Sequence, residues 1–251
     1  MSYEFRVACE LHSLDGLRAV FAAGLDARAR IEGKGAVTWL TEMYTRSDRF
    51  AECLRLLLDH GAVADDPLAV PVLLNDPDAI VAAASQAPAY LQHRVTMASA
   101  FTPLAGVSLL HVAAEFGHVA AARALLALGA DVNDRAEVDG DGLGRHTPLF
   151  HTVNAHADRS LPVTRLLLEA GAAVDARVSG LVWGRGHEWE TALFDLTPLS
   201  YAQLGGLPQM HRDERQIAGT VRLLLTAAGR PVPPLPNVPN QYLRARGGAA
   251  Q

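Results

Sequence analysis

Residues 107–133, VSLLHVAAEFGHVAAARALLALGADVN, carry the clearest periodicity of apolar and polar positions in the chain. Leu110, Val112, Ala113, Leu125 and Leu126 stand at helical spacing, broken at Gly117 and again at Gly129. The pattern predicts two short helices joined by a tight turn. Neither helix can bury its apolar stripe alone. Ala113, Ala114, Ala121 and Ala122 are small enough for the helices to lie close together and against a neighbouring pair. Gly129 follows the last periodic leucines, where free access to positive φ ends a helix, and Asp131 and Asn133 suit the turn beyond it.

The same frame recurs. Tyr3 to Gly24 spans the same interval as Ser108 to Gly129, since 24 − 3 and 129 − 108 are both 21. Phe5, Val7, Ala8 and Cys9 then face inward on a first helix, and Leu14, Leu17, Val20 and Phe21 on a second. Glu4, Arg6, Glu10, Asp15 and Arg18 give this unit the wet outer face of a cap. A second unit follows, with helices around Val37–Tyr44 and Phe50–His60. A weaker third has LAVPVLL, a turn at Asn75–Pro77 with Asp76 as helix cap, and DAIVAAASQA. Residues 89–106 predict an elongated loop with a short helix. Thr147-Pro148-Leu149 and Thr197-Pro198-Leu199 open two further units. The expected fold is an all-α solenoid of about six helix-turn-helix units, at about 3–30, 35–66, 67–88, 107–133, 146–175 and 197–230. These form one domain over 1–240, with a proline-rich strap at 231–240 and a flexible tail at 241–251. PVPPLPNVPN is an extended strap over the last unit or a proline-rich ligand for another protein.

The 107–133 stretch resembles an ankyrin repeat, whose pattern is a helix led by T-P-L-H-x-A, a Gly-His pair, a second helix ending in Leu-Leu, and G-A-D-V-N. Its counterparts here are Ser108, Leu109, Leu110, His111 and Ala113, then Gly117 and His118, then Leu125, Leu126 and Gly129 to Asn133. Phe150 replaces the usual His in the next unit. The resemblance implies a scaffold that binds a protein partner along a concave face built from first helices and turn fingers. It also implies that His111 bonds neighbouring turns, and that Glu10, Leu11, Glu115, Phe116, Asn154 and Ala155 look into the groove.

Two fingers are long, which asks for a reason. Asp134–His146 carries Asp139 and Asp141 among Gly140, Gly142 and Gly144. Ala176–Leu196 reads as a β-hairpin in which VSGLVW and HEWETALF flank Gly184, Arg185 and Gly186. It carries Trp183, His187, Glu188, Trp189 and Glu190, and the tryptophans either clamp the hairpin to its neighbours or leave one ring as an anchor. Phe116 is either such an anchor or packs on the next finger.

Chemistry narrows the picture further. The calcium-loop pattern fails after Asp141, where Leu143 follows, so a glycine-rich turn fits better. His151 and His156 lie about 140° apart around a helix, unlike a metal-binding pair. No metal or cofactor is expected, and no catalytic motif occurs. A net charge of −5 gives no reason to expect nucleic acid or an anionic membrane. Cys9 and Cys53 read as buried small hydrophobes. With no basic and apolar leader, and with Pro103 and Gly106 inside the longest run lacking Asp, Glu, Lys and Arg, Val95 to Ala114, the expectation is a cytoplasmic protein, a monomer by default.

The expected function is recognition of a protein by the groove and fingers of units four to six. Phe116 and Trp183 or Trp189 would supply affinity, and Glu115, Asp139, Asp141, Asn154 and His187 orientation. The alternative is a small-molecule or enzymatic site there, with Glu115, Asp139, His151 or His156, and Asn154 as acid, base and amide. A small enclosed pocket beneath the fingers would favour the latter, a broad open groove the former.

Overall fold

The computed structural model describes residues 1–154, 158–186, 188, 190–204 and 218–232. Its helices come as packed pairs: α1 (Ser2–Glu10) with α2 (Leu14–Ala22), α3 (Ala36–Glu42) with α4 (Phe50–Asp59), α5 (Val70–Leu73) with α6 (Pro77–Gln86), and α7 (Leu109–Glu115) with α8 (Val119–Ala127). Then come α9 (Pro148–His151) with α10 (Leu161–Glu169) and α11 (Pro198–Leu204) with α12 (Ala218–Ala227). First helices touch first helices and second touch second, as in α7 on α9 and α8 on α10.

The expectation of an all-α solenoid of about six ankyrin-like units is nevertheless overturned. Two antiparallel two-stranded sheets interrupt the helices, β1 (Arg94–Met97) with β2 (Leu104–Ser108) and β3 (Val178–Trp183) with β4 (Thr191–Leu196). The pairs are also unequal. α5 and α9 are single turns of four residues, and a 3-10 turn, Thr152–Asn154, continues α9. The physical reason lies in main-chain partners. Segments rich in β-branched residues and interrupted by Pro103, Gly106 and Gly180 cannot sustain a helix, so their N–H and C=O groups pair across a hairpin instead. Residues 89–106 thus hold a 3-10 turn at Tyr90–Gln92 and most of a hairpin, where an elongated loop was expected.

Five of the six second helices share one ending, α6 being the exception. Gly24, Gly61, Gly129, Gly171 and Gly229 follow α2, α4, α8, α10 and α12, all at positive φ. Each N–H bonds the carbonyl three residues back, and the next N–H the carbonyl five back, as Gly129 does to Leu126 and Ala130 to Leu125. The left-handed residue closes the otherwise unpaired carbonyls of the last turn. Polar side chains then tie one pair to the next. Asn75 Oδ1 accepts from the Ala121 N–H at 2.9 Å, and Asn133 accepts from Ala173 N–H at 2.7 Å while donating to the Gly171 carbonyl.

At the centre lies α7, whose residues are all buried. A helix apolar on every side belongs inside, and Leu109, Leu110 and Val112 each gain about 1.5–3 kcal/mol by leaving water. The fingers pack beside one another. Arg94 holds Asp134 with two bonds of 2.9 Å, Glu137 N–H donates to the Gly106 carbonyl at 3.1 Å, and Gly144 N–H to the Gly180 carbonyl at 2.9 Å. Gly144 sits at φ 131°, and a Cβ there would run into the Glu137 carbonyl oxygen. Of the expected strap only residues 231–232 are described; the remainder of 231–240, and the tail at 241–251, lie outside the described residues.

Candidate functional site

Glu115 ends α7 and gathers chain from three places. Its Oε2 accepts from His151 Nδ1 at 2.9 Å, and its Oε1 from Arg46 at 3.2 Å and the Ser99 hydroxyl at 3.3 Å. The Glu115 and His151 side chains are 1% and 0% exposed. Burial pushes the Glu115 carboxyl above its ordinary range against the pull of the Arg46 guanidinium. Burial lowers His151 to about 3, leaving a neutral ring that donates through Nδ1. Arg46 also donates to the Met43 carbonyl at 2.5 Å and lies over the rings of Phe101 and Phe116.

The burial has a visible cause. The turn joining β1 to β2 lies across the first helices where an open groove was expected. Ser99 reaches Glu115, and Phe101 covers Arg46 and stacks edge-on to Tyr44. Thr102 shares a 2.9 Å hydrogen bond with Tyr201 of α11, and the Pro103 carbonyl accepts from His146 Nε2 at 3.0 Å. Behind this cover three imidazoles meet with ring centres 5.0–5.9 Å apart, His111 edge to face with His146 and with His151, and His146 tilted against His151. His111 takes the Ser108 N–H and hydroxyl on Nδ1 and donates from Nε2 to the His146 carbonyl at 3.1 Å. His146 is lowered to about 3, burial first and neighbouring His151 second. Among the described residues, His146 Nδ1, His151 Nε2 and the Thr147 hydroxyl have no partner.

A cleft of about 440 Å³ runs along connections between paired helices instead of beneath the long fingers. It touches Arg46–Asp48, Asn75, Phe116–His118 and Asp158–Ser160. Asp158 there accepts from the Gly219 and Thr220 N–H groups at 2.8 Å, capping the start of α12. On the fingers, Asp139 Oδ1 accepts from the Asp141 and Leu143 N–H groups at 2.9 Å, and Arg185 grips Asp139 at 2.6 Å and Asp141 at 2.9 Å. This clamp joins the 134–146 finger to the β3–β4 turn.

Residues 105–137, from β2 through α7 and α8 into the first long finger, match the family model for the ankyrin repeat. The match bears out the resemblance of this stretch to an ankyrin repeat. A search of curated proteins found no match. An ankyrin repeat suggests a protein–protein interaction domain, and no helix among the described residues is long and apolar enough to cross a membrane.

Within the ankyrin unit the expected groove residues are enclosed. Glu115 and His151 form one buried link, and Phe116, 8% exposed, packs on Phe50, His118 and Arg46, not on the following finger. Trp183 is 2% exposed, and its Nε1 has no partner among the described residues. An anchoring role for Phe116 or Trp183 is therefore corrected, because each ring is already spent on the protein's own core. Asp139 and Asp141 come together at Arg185, while of the expected acid, base and amide Glu115 and His151 meet directly. Asn154 lies in the turn after α9; His156, His187 and Trp189 lie outside the described residues. Sequence reasoning missed Arg46, Ser99, Phe101 and Arg185. The signal for the covering turn was the run without Asp, Glu, Lys or Arg from Val95 to Ala114, since a stretch that long without charge tends to be interior.

Proposed function

We propose that the protein is a recognition module for another protein and that its fingers, not the covered first-helix groove, meet the partner. The observation that carries this reading is Phe194 of β4, 65% exposed on a finger held to its neighbours by main-chain bonds and the Arg185 clamp. A rigid aromatic presented in water gains most when a partner's pocket closes over it, and a preset ledge loses little freedom on binding. The family, which suggests protein interaction, supports the same reading.

The test places a photo-crosslinking benzoylphenylalanine at position 194 and, for comparison, at Val81, an exposed position on α6. In the native host, a discrete crosslinked protein from position 194 and none from position 81 is the expected result. Equal yields from both positions, or a product from 81 alone, would move the partner off the fingers.

A further inference from the structure

The second helices carry a recurring cation. In α4, α8, α10 and α12 the buried residues Leu54, Ala122, Thr164 and Val221 are each followed by an exposed arginine: Arg55, Arg123, Arg165 and Arg222. A buried leucine stands two places further on in every case, as Leu125 does after Arg123. Arg18 holds the same place in α2, but there it pairs with Asp15 at 3.1 Å. In α6 the place belongs to Val81, so the row breaks between α4 and α8.

Three members remain contiguous. α8 packs on α10 and α10 on α12, which sets Arg123, Arg165 and Arg222 apart by the spacing of packed helices, about 8–10 Å. Among the described residues none of these three guanidiniums has a hydrogen-bond or ion-pair partner. One turn on, where an acid would neutralise the arginine, α8 has Ala127 and α12 has Thr226; only α10 has Glu169. The row is thus a cationic face on a chain of net charge −5. It also crosses an apolar depression. Between α8 and α10 a cleft of about 310 Å³ has Val119, Leu161, Pro162 and Leu166 in its walls and Arg123, Arg165 and Glu169 around it.

We propose that this face docks an extended acidic segment of a partner protein, its carboxylates on Arg123, Arg165 and Arg222 and one apolar side chain in the α8–α10 cleft. The geometry fits the chemistry. An extended chain advances about 3.3 Å per residue, so acidic residues three apart fall in step with the helices. Glu169 selects against a polymer that is negative at every step, such as a nucleic-acid backbone, whereas a peptide can set a neutral residue opposite it. A cleft one side chain wide offers too little apolar surface to hold a lipid bilayer.

The probe is a short fluorescein-labelled peptide with aspartate at every third position and one leucine beside the central aspartate, followed by fluorescence anisotropy. The wild-type protein is expected to bind it saturably. Exposed charge pairs are individually weak, so Arg123→Gln, Arg165→Gln and Arg222→Gln together should loosen binding about tenfold, with helical circular dichroism unchanged. Replacing the peptide's leucine by serine should also weaken binding, and Arg18→Gln, already paired on α2, should leave it as it was. Phe194→Ala should have no effect, which separates this surface from the fingers. Equal binding of a peptide with lysine for aspartate, or an unaltered affinity in the triple variant, overturns the proposal. So does tighter, arginine-dependent binding to a short DNA duplex or to phosphatidylserine vesicles.

Discussion

Glu115 shows what a single carboxylate does when it is closed off from water. It answers a guanidinium, an imidazole N–H and a hydroxyl at once, so removing it strands a buried cation and leaves His151 with neither ring nitrogen paired. Breaking one partner of a buried charged pair typically costs about 3–5 kcal/mol. Glu115→Ala should therefore shift the urea midpoint far more than Glu10→Ala, whose carboxylate makes only long bonds to Tyr44 and Thr45. Equal shifts would show that the link carries no stability. The ankyrin resemblance placed Glu115 in the groove, with His151 or His156 as the candidate base near it. It was silent on Arg46, 69 residues away in a loop, since periodicity weighs apolar positions and a loop arginine has none around it.

Between elements, the fingers hold one another through few bonds of different kinds. Arg185 joins two of them through Asp139 and Asp141 at a partly exposed site, and the main-chain bond from Gly144 to Gly180 runs alongside. Exposed pairs contribute about 0–1 kcal/mol each, so Arg185→Ala should hardly change the thermal midpoint. It should instead speed amide hydrogen exchange locally, at Asp141 and Leu143, whose N–H groups Asp139 accepts. No acceleration there would mean that Arg185 is not what fixes the loop. Legibility at this scale follows the strength of the local signal. Helix endings were readable because a glycine after a leucine run has one good use. The β1–β2 hairpin was not, because RVTM is short and its partner LAGVS runs directly into α7 without a turn signal. The groove stood open in the sequence reading for the same reason. A turn that folds back over other units leaves no periodicity in its own residues, only the absence of charge.

Over the whole molecule the buried imidazoles add up to one property. His12 and His118 are lowered to about 4 and His146 and His151 to about 3, all chiefly by burial, and His111 lies well below its ordinary value for the same reason. In the unfolded chain each would titrate near its ordinary value of about 6.5. Above that pH neither state binds these protons and the stability is intact. As pH falls below it the unfolded chain takes them up and the folded one does not, so stability declines until the folded values are reached. Each such group removes about 1.4 kcal/mol per pH unit. Glu115 and Glu10, whose carboxyls burial raises, work in the opposite sense, but they are two groups against five. A domain with about 5–15 kcal/mol in hand cannot withstand that slope for more than a unit or two. Cooperative loss of helical circular dichroism is therefore expected between about pH 6 and pH 4. His118→Phe, which keeps a ring between Phe50 and Phe116, should reduce proton uptake on unfolding by about one and move the acid midpoint lower. A midpoint that stays in place, or an unfolding free energy flat from pH 7 to pH 5, would mean that these rings already carry their protons in the folded protein.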